Sequence, residues 1–151
     1  MGILNITPDS FYDGNPSLNK DLFLKSLDDL NNADIIDIGC ESSRPGANPI
    51  NDEEEIRRLD IMLPYLSSMK NIKLSIDTYK PNVAKYALLN GFSIINDIKA
   101  GGESFEIFEV ASSSNSQIIL MHMKGEPQTM QNNPHYDNII DEISSFLEHR
   151  A

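Results

Sequence analysis

Five short apolar runs punctuate the chain, and each is followed by a stretch whose apolar residues recur at helical spacing. The runs lie at Gly2 to Thr7, Asp34 to Gly39, Ile72 to Thr78, Ser93 to Ile98 and Gln117 to His122. Each is rich in Ile or Leu with polar residues at or near its end, which predicts strands. Between Asp21 and Asn32 the residues Leu22, Phe23, Leu27 and Leu30 recur on one face, as a helix packed on a sheet requires. Asn51 followed by Glu54 resembles a capping box, and Ile56, Leu59, Met62 and Leu66 form the stripe behind it, with Pro64 expected to kink the last turns. Pro81 and Gly91 bracket a third helix as start and stop signals. Phe105, Phe108 and Ala111 suggest a fourth, and Ile139, Ile140, Ile143 and Leu147 a fifth.

Strands alternating with helices are the pattern of βα units that form a parallel sheet. No Pro/Gly/Ser-rich linker divides the 151 residues, so one domain over 1–151 is the economical reading. In such repeats the loops after the strands share one rim, where both barrels and open α/β sheets place their ligands. The residues at strand ends are therefore the ones to question for chemistry.

Composition narrows the partners. With 12 basic against 23 acidic residues, a net charge of -11 opposes the phosphate neutralisation on which nucleic-acid binding depends. Hydrophobic residues at 40% and charged residues at 23% suit a folded globular chain. No stretch reaches the roughly 20 apolar residues of a membrane helix. The single cysteine, Cys40, excludes an intrachain disulfide and points to a reducing, cytoplasmic compartment.

An acidic protein that handles an anion must concentrate its few cations or a metal at one spot. Arg44, beside Pro45 and Gly46, is the clearest cation, because a guanidinium grips phosphate bidentately. The amide oxygen of Asn5 could help hold Mg²⁺, which keeps several waters and shares substrate phosphates. Asp77 and Asn96, at the ends of the third and fourth strands, offer acceptors and donors suited to the NH-rich edge of a fused nitrogen heterocycle. Taken singly, each of these Asp and Asn residues is more often a cap or turn former. Cys40, His122 and His149 have no apparent partner that would activate a nucleophile.

Four blocks give the set a family likeness. The stretch from Met1 through Asn5, Thr7, Pro8, Asp9, Ser10 and Phe11 resembles the opening strand and first loop of dihydropteroate synthases, and Gly39 through Glu41, Ser42, Ser43, Arg44, Pro45 and Gly46 resembles their second loop. Ser75 to Thr78 followed by Ile95 to Asp97, and Leu120 to Met123 leading to Pro127, Thr129 to Gln131 and Pro134, agree in order and approximate spacing. The resemblance implies an α/β chain of the TIM (β/α)₈ barrel family, here a partial barrel of about five βα units, forming one pterin-binding domain cut before the last three units.

The implied reaction joins 6-hydroxymethyl-7,8-dihydropterin diphosphate to p-aminobenzoate in folate biosynthesis, giving 7,8-dihydropteroate and pyrophosphate. By the same resemblance Asp77 and Asn96 bind the pterin edge, Ile98 and Met121 line its apolar faces, and Asn5 is the Mg²⁺ ligand. Arg44, Asp9 and Asp13 order the two loops around diphosphate, while Phe11, Ser43 and Pro45 wall the p-aminobenzoate pocket that sulfonamides also target. Full-length members dimerise. Ser43 departs from the family's threonine, keeping the hydroxyl and losing a methyl contact. The later strands bring an Asp, a Lys and an Arg–His pair that this stretch lacks, so the segment alone is expected to be inactive and poorly soluble. Two competing readings are a non-catalytic truncated pterin-binding module and the folate-binding domain of a methyltransferase. The second has no diphosphate to hold and no use for the two loops.

Overall fold

The fold was determined as a computed structural model. It describes residues 1–7, 20–42, 48–66, 69, 71–102, 104–125 and 129–151. In chain order the elements are β1 (Gly2–Asn5), α1 (Lys20–Asp29), β2 (Ile35–Gly39), α2 (Asp52–Leu66), β3 (Lys73–Asp77), α3 (Pro81–Leu89), β4 (Ile94–Asp97), α4 (Glu106–Ser113), β5 (Gln117–Leu120) and α5 (Ile139–Arg150).

All five strands are parallel, and their order across the sheet repeats their order along the chain. A parallel crossover is right-handed, so an order that never reverses puts the connecting helices on one side of the sheet. That is the wall of a (β/α) barrel; a doubly wound sheet would reverse its order and cover both faces. The core lies between sheet and helices, where Leu4, Ile36, Ile38, Ile76 and Ile95 meet Phe23, Leu59, Met62, Val83 and Ile107, all buried.

Local signals explain most boundaries. Asn51 Oδ1 accepts the Glu54 backbone N–H at 2.9 Å, so α2 has its expected cap. The reciprocal half of a capping box is replaced by pairing, because the Glu54 carboxylate takes Arg57 and Arg58 instead. Helix α2 runs through Pro64 to Leu66. Gly91, at φ +95, supplies the left-handed turn after α3 that a side chain would resist. Asn138 caps α5 through the N–H groups of Ile140 and Asp141.

Four expectations need correction. The predicted strands extend one or two residues too far, since beyond β1, β3 and β5 only single ladder bonds continue, from Ile6 to Gly39, Thr78 to Asn96 and Met121 to Asp97. Leu22 is 44% exposed while Phe23 is fully buried, so the buried stripe of α1 is Phe23, Leu27 and the half-buried Leu30, at i, i+4 and i+7. Phe105 is not helical but sits at the N-cap of α4 with φ 58. Ile139 and Ile140 are exposed, and α5 buries no residue fully. A helical stripe predicts a buried face only where a partner covers it.

Candidate active site

Strand register assembles the site. Asn5 lies opposite Gly39, Gly39 opposite Asp77, Asp77 opposite Asn96 and Asn96 opposite Ile119, so these five form one row across the sheet. The row behind it contains Ile3, Asp37, Ser75, Ile94 and Gln117. Side chains alternate along a strand, so both rows share the face opposite the helices. Ile3 on that face is 67% exposed, whereas its neighbour Leu4 is 2% exposed beneath the helices.

The same alternation separates the two adjacent polar residues at the end of β4. Asn96 faces the row, while Asp97 points the other way and accepts the N–H groups of Lys99 at 2.8 Å and Gly101 at 2.6 Å. Asp97 is thus a turn former, and Asn96 is available to the site.

Asn96 donates through Nδ2 to Asp37 Oδ2 at 2.9 Å. The second oxygen of Asp37 and the hydroxyl of Ser75 are buried without a hydrogen-bond partner among the described residues. Such orphans are costly, and a donor-rich ligand edge is one way to satisfy them. Gly39 explains how the front row accommodates two polar heads. A Cβ there would lie 2.9 Å from Asn5 Oδ1 and 3.4 Å from Asp77 Oδ2, so the missing side chain is the space those oxygens occupy. Burial, followed by the neighbouring charges of Asp37, Glu55, Asp97 and Glu41, pushes the Asp77 carboxyl up to about 7. Near neutrality Asp77 therefore exchanges between acceptor and donor.

Ile98 and Met121 line a cavity of about 310 Å³ at the same rim, together with Lys99, Met123, Phe146 and Arg150. The six remaining candidates, Asp9, Phe11, Asp13, Ser43, Arg44 and Pro45, lie outside the described residues. His122 packs edge-on against Phe146, with ring centroids 5.0 Å apart, and faces Tyr136. Cys40 is fully buried, and burial pushes its thiol far up, so it offers no thiolate.

Sequence analysis gave Asp37 no role. The signal was present: a carboxylate inside Ile35-Ile36-Asp37-Ile38 is expensive to bury and needs a reason. It also passed over Glu55 and Lys80, whose burial depends on their meeting across three elements.

No group of three or more His, Cys, Asp or Glu side chains among the described residues could hold a metal. Asn5 Oδ1 and Asp77 Oδ2 flank the Gly39 gap as one neutral and one ionisable oxygen. The neutral Asn5 oxygen fits a Mg²⁺ completed by water and substrate oxygens, with no protein cage among the described residues.

Comparisons with known proteins show the family. Residues 1–151 match the family described as pterin binding enzyme. The dihydropteroate synthase of Synechocystis is 42% identical over 149 residues, which are 97% of this chain and 52% of the relative. A structure of the Yersinia pestis dihydropteroate synthase in complex with a sulfonamide drug superposes with a TM-score of 0.85 at 38% identity, over 99% of this chain and 55% of that one. The Burkholderia cenocepacia dihydropteroate synthase complexed with 7,8-dihydropteroate gives a TM-score of 0.78 at 38% identity, over 99% and 50%. The chain spans about half the length of these relatives.

Proposed function

Because the chain belongs to the pterin binding enzyme family, we propose that the protein containing it is a dihydropteroate synthase, a transferase of folate biosynthesis. The observation that carries this reading is the inward row of Asn5, Gly39, Asp77 and Asn96, braced from behind by Asp37. It puts an ionisable acceptor beside an oriented amide, which is what the N–H edge of a pterin ring would need.

Asp77 would accept from that edge, and Asn96 would present its free carbonyl oxygen and second N–H. Ile98 and Met121 would flank the ring. Arg44, ordered with Asp9 and Asp13, would hold the diphosphate, and Phe11, Ser43 and Pro45 would wall the p-aminobenzoate pocket. The amine nitrogen forms a bond to the pterin methylene carbon as the bond from that carbon to the diphosphate oxygen breaks. Pyrophosphate leaves with the bonding electrons, and the amine nitrogen loses a proton to give 7,8-dihydropteroate. Charge grows on the leaving oxygens, so Arg44 would act electrostatically. A Mg²⁺ held by Asn5 and the substrate would supply further neutralisation of the leaving diphosphate. No side-chain nucleophile is needed.

Residues 1–151 would form one pterin-binding domain, working in the cytoplasm without nucleic acid or membrane and, in the full-length protein, as a homodimer. Among the described residues no helix is long and apolar enough to cross a membrane. The test is pyrophosphate release by the complete gene product when supplied with pterin diphosphate and p-aminobenzoate. Asp77→Ala and Asn96→Ala are each expected to lower kcat/KM by about 100-fold or more, because each leaves substrate hydrogen bonds unmade in a buried site. Absence of pyrophosphate release in the unaltered protein overturns the reading.

A further inference from the structure

Behind the rim, on the helix side of β2 and β3, lies an ionic cluster that the proposed reaction does not use. Lys80, at the N-cap of α3, is 8% exposed, and Glu55 in the first turn of α2 is 1% exposed. The Lys80 ammonium reaches Glu41 Oε2 at 2.5 Å, Glu55 Oε2 at 2.6 Å and the Ile50 carbonyl at 2.7 Å. An ammonium has three hydrogens, so three acceptors saturate it and none is left for a substrate anion. Lys80 can act only through what it holds.

What it holds is specific. Glu41 and Ile50 are also joined directly, the Ile50 N–H donating to Glu41 Oε2 at 3.0 Å, while Tyr79 donates its hydroxyl to Glu41 Oε1 at 2.9 Å. Arg58 adds a bond to the Cys40 carbonyl at 2.9 Å. Along the chain, Ser43, Arg44 and Pro45 lie between Glu41 and Ile50, and Lys80 follows Asp77 by three residues. Burial works against ionisation of Glu41, but its bonds from Lys80, Ile50 and Tyr79 outweigh that and hold its carboxyl below the usual range.

We propose that Lys80 is a positioning residue: its ammonium ties both stems of the segment bearing Ser43, Arg44 and Pro45 to the strand end that bears Asp77. The proposal rests on the synthase reading for its kinetic consequence. Fixing the stems at Glu41 and Ile50 before the ligand arrives means that their ordering is no longer charged to binding. The clamp reaches pterin recognition only through the charges of Glu55 and Glu41 on the Asp77 carboxyl, whereas engagement of diphosphate and the aromatic amine depends on the segment it ties.

The test uses the complete gene product. Lys80→Met alone would strand two buried carboxylates and endanger folding. Lys80→Met/Glu55→Gln removes the ammonium and the most buried acid together, and Tyr79→Phe loosens Glu41 without changing charge. In the double variant the KM for p-aminobenzoate is expected to rise about tenfold, with affinity for diphosphate-free pterin kept within about twofold when measured well above the Asp77 midpoint, where that carboxyl is ionised in both proteins. Tyr79→Phe should move the same KM by about two- to threefold. Amide hydrogen exchange at the described stem residues, Ser42 and Ile50, should quicken in both variants while β3 and β4 stay protected. An unchanged KM and unchanged exchange in either folded variant overturns the proposal, as does a pterin affinity that falls in step with the KM. If the unaltered protein shows no synthase activity yet the variants quicken exchange at Ser42 and Ile50, the synthase reading fails and the clamp stands.

Discussion

Asn96 on β4 donates its side-chain N–H to Asp37 on β2 at 2.9 Å, reaching across β3 to do so. The residue of β3 in register with Asp37 is Ser75, whose small side chain leaves the crossing open. One bond thereby fixes which end of the amide faces the ligand. Asp37→Asn removes the charge that strengthens it, and pterin affinity is expected to fall about five- to tenfold by calorimetric titration. Because the Asp37 charge also raises the Asp77 carboxyl, the pH midpoint for pterin binding should move down in the same variant. An unmoved midpoint would show that the two carboxylates do not sense each other.

Asp77 links binding to pH and stability. Its folded-state value near 7 lies above the unfolded value of about 3.9, so the folded chain binds the extra proton between those limits. Stability should therefore decline as pH rises from about 4 to 7 and level off above that. Asp77→Asn abolishes the decline, so it should stabilise the fold by about 1–3 kcal/mol at pH 8 and by much less at pH 4. It should at the same time weaken pterin binding. Urea unfolding at both pH values measures the first effect and titration the second.

Gly39→Ala tests the gap in the front row. The added carbon would press on Asn5 Oδ1 at 2.9 Å and touch Asp77 Oδ2 at 3.4 Å. The Asn5 amide is the end of a side chain that can turn away, so the strand should survive while the amide leaves its place. If Asn5 holds Mg²⁺ as proposed, the expected outcome is a Mg²⁺ requirement shifted about tenfold higher with a melting temperature changed by a few degrees at most. Loss of folding instead would mean that Gly39 serves the sheet and not the site.

The phase of α1 is checked by neighbouring leucine and phenylalanine. Phe23 is fully buried with its ring centroid 5.9 Å from that of Tyr65, and Phe23→Ala should cost about 3–5 kcal/mol of stability. Leu22→Ala, at a position 44% exposed, should cost less than about 1 kcal/mol. Denaturant unfolding of the two variants separates them.

The alternation of strand and helix, the caps at Asn51 and Gly91 and the polar strand ends were legible along the chain, because each depends on spacing or on a residue's own conformational preference. The positions of Asp77 and Asn96 at neighbouring strand ends were legible for the same reason. The stripes of α1 and α5 were read less well, since Leu22, Ile139 and Ile140 have the right spacing and yet are exposed.

What the residue order determined by itself was the parallel βα repeat and the family-like blocks at its strand ends. Tertiary structure gave the neighbouring Asp97 its separate task as a turn former on the other face, because one-residue register sets the face. It alone made Asp37 the brace of Asn96 and brought Lys80 to Glu41 and Glu55 over 39 and 25 residues of chain. Buried charge is tolerated only where partners converge, and convergence across strands and helices has no local signature.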